Sequence, residues 1–416
     1  MMTDRVLHFA VRSVLPRVLR AARAVAPVGS TALVAGYPRT EGNAVETARA
    51  LARRFDGTVV WVDAPPAAYL RAIGFTDDQL GRIRRVGKND PRALWEYATA
   101  SAVFFTHGLY GEPGVDRRKL TVNLWHGSGM KRNARLFPER HLRSAPSDYV
   151  VSCSRLWGAE LARNAGMTTD TLICSGNPRT DQLHVAPDRN SLQTLGISAD
   201  RPYVVWLPSY RRAAASGTMR GFTDSSSGLV DDQLSEQFGA VVDVLSDAGV
   251  TVVVKPHPLD AVARHTRGAV VLDDVALERA GLPLYTLLGG SAGLITDASS
   301  VWTDYLATDK PIGFFFPDRA DYASGRGFYP SDVLDWLPGP MLETVTDVDA
   351  FAREVLAGGG GSSAQRDGAR HRAGIHQTDA AADALLDALS AHGGRFASLL
   401  RPHRIDASVE GGPDGH

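Results

Sequence analysis

Three strings in the chain carry residue types suited to phosphate chemistry. Leu124-Trp125-His126-Gly127-Ser128-Gly129-Met130-Lys131 sets a histidine among glycines and close to a cation. Lys255-Pro256-His257-Pro258 holds a second histidine between prolines, which restrict the backbone on both sides. Thr296-Asp297-Ala298-Ser299-Ser300 is a hydroxyl-rich turn ahead of a helical stretch. A neutral imidazole, with an ordinary pKa of about 6.5, can take a proton from an attacking hydroxyl. A protonated one can neutralise charge on a diphosphate or on a departing nucleotide, and free amides at a helix start bind anions. Together these types point to transfer chemistry on an activated phosphate.

Each string also has a plain structural reading. His126 could cap a strand end while the glycines turn the chain, and His257 could be fixed by its prolines for structure alone. Asp297 or Ser299 would serve as a helix cap, a role compatible with anion binding. Further cations stand at comparable places: Lys131 beside the first histidine, Arg211 in Pro208–Arg212, Arg179 in Asn177–Asp181, and Arg326 in Arg326–Tyr329. A single arginine is more often a surface charge or a domain-bridging ion pair. Three such loops converging on one crevice suit phosphate, because the planar guanidinium donates two parallel hydrogen bonds.

These residues need a scaffold that delivers them to one place. Short apolar runs alternate with helical stretches: Thr31–Ala35, Thr58–Val62, Ala102–Phe105, Val122–Leu124, Tyr149–Val151 and Leu172–Cys174 in the first half. The pattern restarts at Tyr203–Leu207, Val250–Val254, Ala269–Leu272, Gly293–Thr296 and Ile312–Phe316. Such alternation predicts parallel sheets covered by helices, with ligands outside the carboxyl ends of the strands. The expected fold is α/β, two Rossmann-like domains facing across a cleft. One covers residues 29–188 on the acceptor side and the other covers 201–357 on the donor side. Pro187–Asp200 reads as the linker, 364–401 as a helical segment crossing back, and 402–416 as a flexible tail. Gly358–Ser363 would supply that crossing or be a flexible insert.

Composition sets limits. With 416 residues and a formal net charge of -1, the chain has room for two domains and lacks the basic field of a nucleic-acid binder. The two cysteines, Cys153 and Cys174, fit buried thiols rather than a disulfide scaffold or zinc site. No Walker loop, nucleophile elbow, helical zinc-ligand pair or strand-end Asp-x-Asp pair is evident, so neither metal nor cofactor is expected. Asp273-Asp274 comes closest and reads as a turn. No apolar run is long enough to span a bilayer. Residues 1–28 set Leu7, Phe9, Val11, Val14, Leu15, Val18 and Leu19 against five arginines. That pattern reads as a basic amphipathic helix on an anionic membrane surface or as a helix packed on the protein itself, with Pro16 interrupting it.

In order and spacing these motifs resemble the CDP-glycerol glycerophosphotransferases of teichoic acid synthesis, membrane-associated enzymes with a GT-B-like fold. The likeness runs from about Gly36 to about Leu386 and includes Glu41-Gly42-Asn43-Ala44 before a helix. It implies that His126 is the base on an acceptor hydroxyl. It also implies that His257, Arg211, Ser299, Ser300 and Arg326 hold the donor's diphosphate and glycerol phosphate. The implied reaction moves glycerol phosphate, or ribitol or another polyol phosphate, from a CDP donor to a lipid-linked or polymeric acceptor, releasing CMP. The enzyme would act peripherally at the cytoplasmic face of the membrane. The absence of a large extra amino-terminal domain leans towards single or short additions. Departures are Gly129 in place of proline, expected to loosen the loop beside the base, Ala298 in place of tyrosine, and Ser209-Tyr210 in place of Thr-Trp. The competing readings are a GT-B glycosyltransferase or epimerase using a nucleotide sugar, and a catalytically silent polymer-binding member.

Overall fold

The computed structural model describes residues 15–110, 118–132, 147–208, 228–256, 268–325 and 327–402. Seven strands build the first sheet: β1 Thr31–Ala35, β2 Thr58–Val62, β3 Ile83–Val86, β4 Ala102–Phe105, β5 Leu120–Asn123, β6 Tyr149–Val151 and β7 Leu172–Ile173. Their spatial order is β3-β2-β1-β4-β5-β6-β7, and every pairing is parallel. The second sheet comprises β8 Tyr203–Trp206, β9 Thr251–Val254, β10 Val270–Val271, β11 Gly293–Thr296 and β12 Ile312–Phe314. It runs β10-β9-β8-β11-β12, again all parallel. The central strands β1, β4, β8 and β11 are buried along their whole length. That is the consequence of helices covering both faces, and it explains why they read as unbroken apolar runs.

Strand order reverses between β1 and β4 in one sheet and between β8 and β11 in the other. Crevices form outside the carboxyl ends of strands at such points. The loops that begin at Gly36, Thr106 and Asp297 therefore all start at crevices, and the His126 loop leaves β5 next to one of them.

One core cluster joins the halves. Met130 and Trp157 from the first half pack with Trp302, Tyr305, Phe328 and Trp336 from the second. The helix Ser363–Ala373 packs on Arg155–Asn164, and Ala381–Ser390 packs on Gly42–Arg54. The chain thus crosses back to the first domain.

The Gly358–Ser363 tract is a tight turn, not a flexible insert. Gly358 and Gly359 have φ of 79° and 98°, and the Glu354 carboxylate accepts hydrogen bonds from the Ser362 amide (2.7 Å) and hydroxyl (2.8 Å). The expected helical segment over 364–401 is three pieces, Ser363–Ala373, Ala381–Ser390 and Gly394–Ala397. Gly393 and Gly394, with φ of 74° and 81°, separate the last two. Strand β3 was not expected from sequence: Ile-Arg-Arg-Val is an edge strand with two exposed arginines at its centre.

Of the arginine-rich amino end, residues 15–25 form a helix packed on the protein itself. Pro16 falls in its first turn, where a missing amide costs nothing. Leu19 is buried, and the buried Arg23 guanidinium donates to the Tyr97 carbonyl at 2.9 Å and to Thr121 Oγ1 at 3.3 Å. Residues 1–14 lie outside the described residues. No helix among the described residues is long and apolar enough to cross a membrane.

Candidate active site

His126 is reached through a strained step. Trp125, a bulky residue, takes φ of 55°, a left-handed conformation that costs about 1–3 kcal/mol unless its surroundings impose it. Here they do. The Asn123 carboxamide oxygen accepts the Trp125 amide at 2.9 Å, and Asn43 Nδ2 donates to the Trp125 carbonyl at 3.1 Å. Asn43 belongs to the helix Gly42–Arg54, whose start Glu41 caps by accepting the Ala44 amide at 3.0 Å. The helix start expected to matter at Glu41–Ala44 therefore shapes the histidine loop directly.

Among the described residues the ring itself makes one hydrogen bond, from Nδ1 to the Thr106 carbonyl at 3.4 Å. A carbonyl can only accept, so Nδ1 carries the proton and Nε2 keeps the lone pair of a base. Burial against the crevice walls pushes the imidazole well below its usual pKa, and the neighbouring His107 adds to this. Arg179 and Lys131 push the same way, while the Thr106 carbonyl opposes them. The ring's outer edge stays exposed, and water there screens part of the effect. The direction favours the neutral, base-competent form.

The loop then docks on the second domain. A Cβ added to Gly127 (φ 129°) would lie 2.4 Å from Ser300 Oγ, and one on Gly129 would lie 2.8 Å from Ser300 Cα and Cβ. The Thr303 hydroxyl donates to the Ser128 carbonyl at 3.1 Å and to the Ser300 carbonyl at 2.7 Å. Gly129 thus permits a close domain contact, which corrects the expectation that it loosens the loop. Lys131 forms a bridge with Phe328, and the Tyr329 amide donates to the Met130 carbonyl at 2.9 Å. Met130–Arg132 and Gly327–Tyr329 therefore lie side by side.

Ser299 and Ser300 precede the short helix Val301–Tyr305 and are partly exposed. Ser299 Oγ accepts the Val301 amide at a long 3.4 Å. Asp297 is buried, and its carboxylate accepts the Ser299 amide at 3.2 Å, so it shapes the turn from inside.

Arg179 is not presented to a ligand in the way the sequence suggested. Its Nε and Nη2 donate to the Asp304 carboxylate at 3.0 and 2.6 Å, and Nη1 donates to the His126 carbonyl at 2.9 Å. Asp304, fully buried, also accepts Asn177 Nδ2 (2.7 Å) and the Tyr285 hydroxyl (2.6 Å). Arg179 is therefore the domain-bridging ion pair that sequence left open, and it steadies the His126 loop from beneath. Asp304 was not singled out, and no motif around it announces the pairing. His257, Arg211 and Arg326 lie outside the described residues.

One further residue, which no sequence motif marks, belongs to this crevice. His107, directly after β4, stacks on His126 with ring centroids 4.2 Å apart and planes 14° from parallel. The strand-end rule that picked out His126 applies equally to Thr106-His107. Elsewhere Asp273 caps a helix through the Ala276 amide (2.7 Å), as a turn residue should, and both cysteines are free. Among the described residues no group of three potential ligands could hold a metal ion.

Two parallel sheets, with the His126 loop of one docked on the hydroxyl-rich helix start that follows a strand of the other, make this a GT-B-like α/β protein. Residues 45–372 match the family described as CDP-Glycerol:Poly(glycerophosphate) glycerophosphotransferase, and the chain belongs to that family. It is 26% identical over 280 residues to a teichoic acid poly(glycerol phosphate) polymerase of Bacillus spizizenii, covering 61% of this chain and 66% of the relative. The match to the Bacillus subtilis protein of the same description covers 36% of that relative, so the chain spans less than two thirds of either polymerase. A teichoic acid ribitol-phosphate primase of B. spizizenii is 24% identical, with 66% of this chain and 75% of that protein aligned. Among solved structures, the wall teichoic acid polymerase TagF, a histidine variant soaked with CDPG, superposes with a TM-score of 0.63 at 19% identity, covering 94% of this chain and 97% of the other. A putative UDP-N-acetylglucosamine 2-epimerase from Listeria monocytogenes shares the fold at a TM-score of 0.53 and 14% identity, covering 88% and 97%.

Proposed function

We propose that this protein transfers a polyol phosphate, glycerol phosphate in the first instance, from a CDP-activated donor to a hydroxyl of a lipid-linked or polymeric cell-envelope acceptor. The acceptor oxygen attacks the phosphorus that carries the polyol, its proton passes to His126 Nε2, and the phosphoanhydride bond breaks so that CMP leaves with the electron pair. Ser299, Ser300 and Lys131 line the phosphate side in this reading, joined by His257, Arg211 and Arg326. The observation that carries it is the contact of the His126 loop with Ser300, which sets a neutral base against an open, hydroxyl-bearing helix start. Such preorganised donors stabilise charge that develops in the transition state. The fold alone does not choose this chemistry, since a nucleotide-sugar epimerase shares it.

The test is CMP release from CDP-glycerol and CDP-ribitol, with and without a lipid-linked acceptor. Acceptor-dependent release that collapses in His126→Ala supports the reading and names the donor. Turnover of a UDP-sugar, or tight CDP-polyol binding without CMP release, would replace it.

The site of action in this reading is the cytoplasmic face of the membrane. The packed helices Leu15–Val25 and Pro91–Thr99 leave Val18, Val25 and Trp95 exposed at 56%, 82% and 63%, together with Arg17, Arg20 and Arg92. Apolar tips among cations suit an anionic lipid surface. Arg17→Glu with Arg20→Glu should weaken sedimentation with anionic vesicles. Unchanged sedimentation would remove this face from the account.

A further inference from the structure

Both faces of the His126 ring are covered. Trp125 lies against it at 4.2 Å between centroids and 30° between planes, and His107 at 4.2 Å and 14°. Two rings at that spacing and so nearly parallel cannot share one face, so His126 is sandwiched and reaches the crevice only by its edge. Thr106 ties the arrangement together. Its carbonyl accepts His126 Nδ1–H at 3.4 Å, and its hydroxyl lies 3.0 Å from His107 Nδ1 and accepts the Tyr37 amide at 3.2 Å. The Tyr37 ring stands edge-on to His107, 5.9 Å away at 80°.

His107 and Tyr37 are both exposed, so the apolar core does not explain their placement. They occupy the loops after β4 and β1, where the strand order of the first sheet reverses. This is the position from which residues reach a ligand.

We propose that His107 is a positioning residue of the active site, whose ring clamps the second face of His126 and leaves the Nε2 edge as its only route to the acceptor hydroxyl. The inference rests on His126 acting as the base. Choosing an imidazole for the clamp has a further consequence. Among the described residues, the charged groups facing the pair are Arg179 and Lys131, both cations. Glu41 and Asp304, the acids on adjoining elements, are held by Arg179. Among the described residues no carboxylate pairs with either imidazole. A proton on one ring therefore opposes a proton on the other, and His126 stays uncharged until the acceptor hydroxyl delivers its own.

Two variants separate the clamp from bulk structure. His107→Ala removes the ring, and His107→Phe keeps a flat ring that cannot take a proton. Histidine NMR titration of the whole chain, with the His126 signal assigned by its loss in His126→Gln, should show His126 titrating at higher pH in His107→Ala than in wild type. kcat for CMP release should fall about three- to tenfold in His107→Ala, the usual scale of an aromatic stacking contact, with little change in KM for the CDP-polyol. His107→Phe should recover most of kcat. Its pH–rate profile should have the acid limb displaced upward, because the opposing charge is gone while the stack remains.

An unchanged His126 titration in His107→Ala would overturn the clamp, as would a kcat loss that Phe does not recover. Should wild type release CMP from no CDP-polyol, the functional reading fails, and the NMR titration still decides whether His107 governs His126.

Discussion

Gly129→Ala tests whether the base must be seated on the second domain. Gly129 does not have a positive φ, so alanine suffers no backbone penalty there and the effect comes from contact alone. The new Cβ would sit 2.8 Å from both Cα and Cβ of Ser300. Unbonded carbons rest at about 3.5–4.0 Å, so the loop and the helix start must part by roughly 0.7 Å or more. Ser300 Cα belongs to the backbone and cannot swing aside as a side-chain tip would. Overpacking of this kind costs about 1–3 kcal/mol. A displacement approaching 1 Å in reacting groups can lower a rate by about 10²-fold. The expected outcome is a modest fall in melting temperature with a fall of about ten- to a hundredfold in kcat for CMP release. Gly368→Ala provides the control, because nothing lies within 4 Å of its added Cβ in the helix Ser363–Ala373. That change should stabilise slightly and leave kcat alone. Gly129→Pro, which restores the residue usual in the resembled family, should be as harmful as alanine. Wild-type kcat in Gly129→Ala would refute the reasoning, since it would mean that the contact with Ser300 is not what places His126.

Asp304→Ala should destabilise the chain by about 3–5 kcal/mol, read by urea unfolding, because it leaves the buried Arg179 guanidinium with Glu41, at 3.8 Å, as its remaining carboxylate among the described residues. Asp304→Asn should do less harm, since its one carbonyl oxygen can still accept from Tyr285 and Arg179, while the bond from Asn177 is lost to the amide nitrogen. Asp181 carries a pH dependence. Burial pushes its carboxyl up to about 7, against the Ala381 and Ala382 amides that it accepts at 2.5 and 3.1 Å. The folded chain therefore binds this proton more tightly than the unfolded chain. The associated stability is full below the ordinary carboxyl pKa of about 3.9 and is lost as pH rises to about 7. Asp181→Asn should flatten the fall in stability between about pH 4 and 7; an unchanged slope would show that another group sets it.

The sequence made the strand ends legible because parallel strands covered on both faces leave long apolar runs, and the candidate site lies where such runs stop. His126 and the Ser299–Ser300 turn stand out as candidates in that way. His107 obeys the same rule but lacks a surrounding motif, and its meaning arises only from a stack across two strands. Strand β3 escaped because an edge strand need not be apolar, and Arg84-Arg85 hide its period. Arg179 was assigned to phosphate because a lone arginine after a strand carries no sign of its partner. Asp304 lies 125 positions away, and only the fold brings its carboxylate under the guanidinium. The amino-terminal helix shows the same limit, since an amphipathic stripe does not say whether lipid or protein covers it. Arg23 answers for residues 15–25 by reaching carbonyls on the neighbouring helix and strand.

These contacts also constrain how the two domains can move during turnover. His126 springs from the first sheet, yet its carbonyl is bound by Arg179, which is locked to Asp304 of the second domain. The glycines that follow it touch Ser300, and Met130 lies in the core cluster shared by both halves. Opening the domains at this point would unpair a buried ion and uncover packed aromatic rings, which costs several kcal/mol. A hinge that swings the base away from the helix start is therefore disfavoured. In the proposed mechanism His126 therefore moves with the Ser299–Ser300 helix start, and the exposed edge where His107 and Tyr37 lie is the route expected for substrate exchange. Joining the two halves by a disulfide far from that edge should consequently leave turnover intact. Abolition of turnover by such a link, with reduction restoring it, would show that the domains must part.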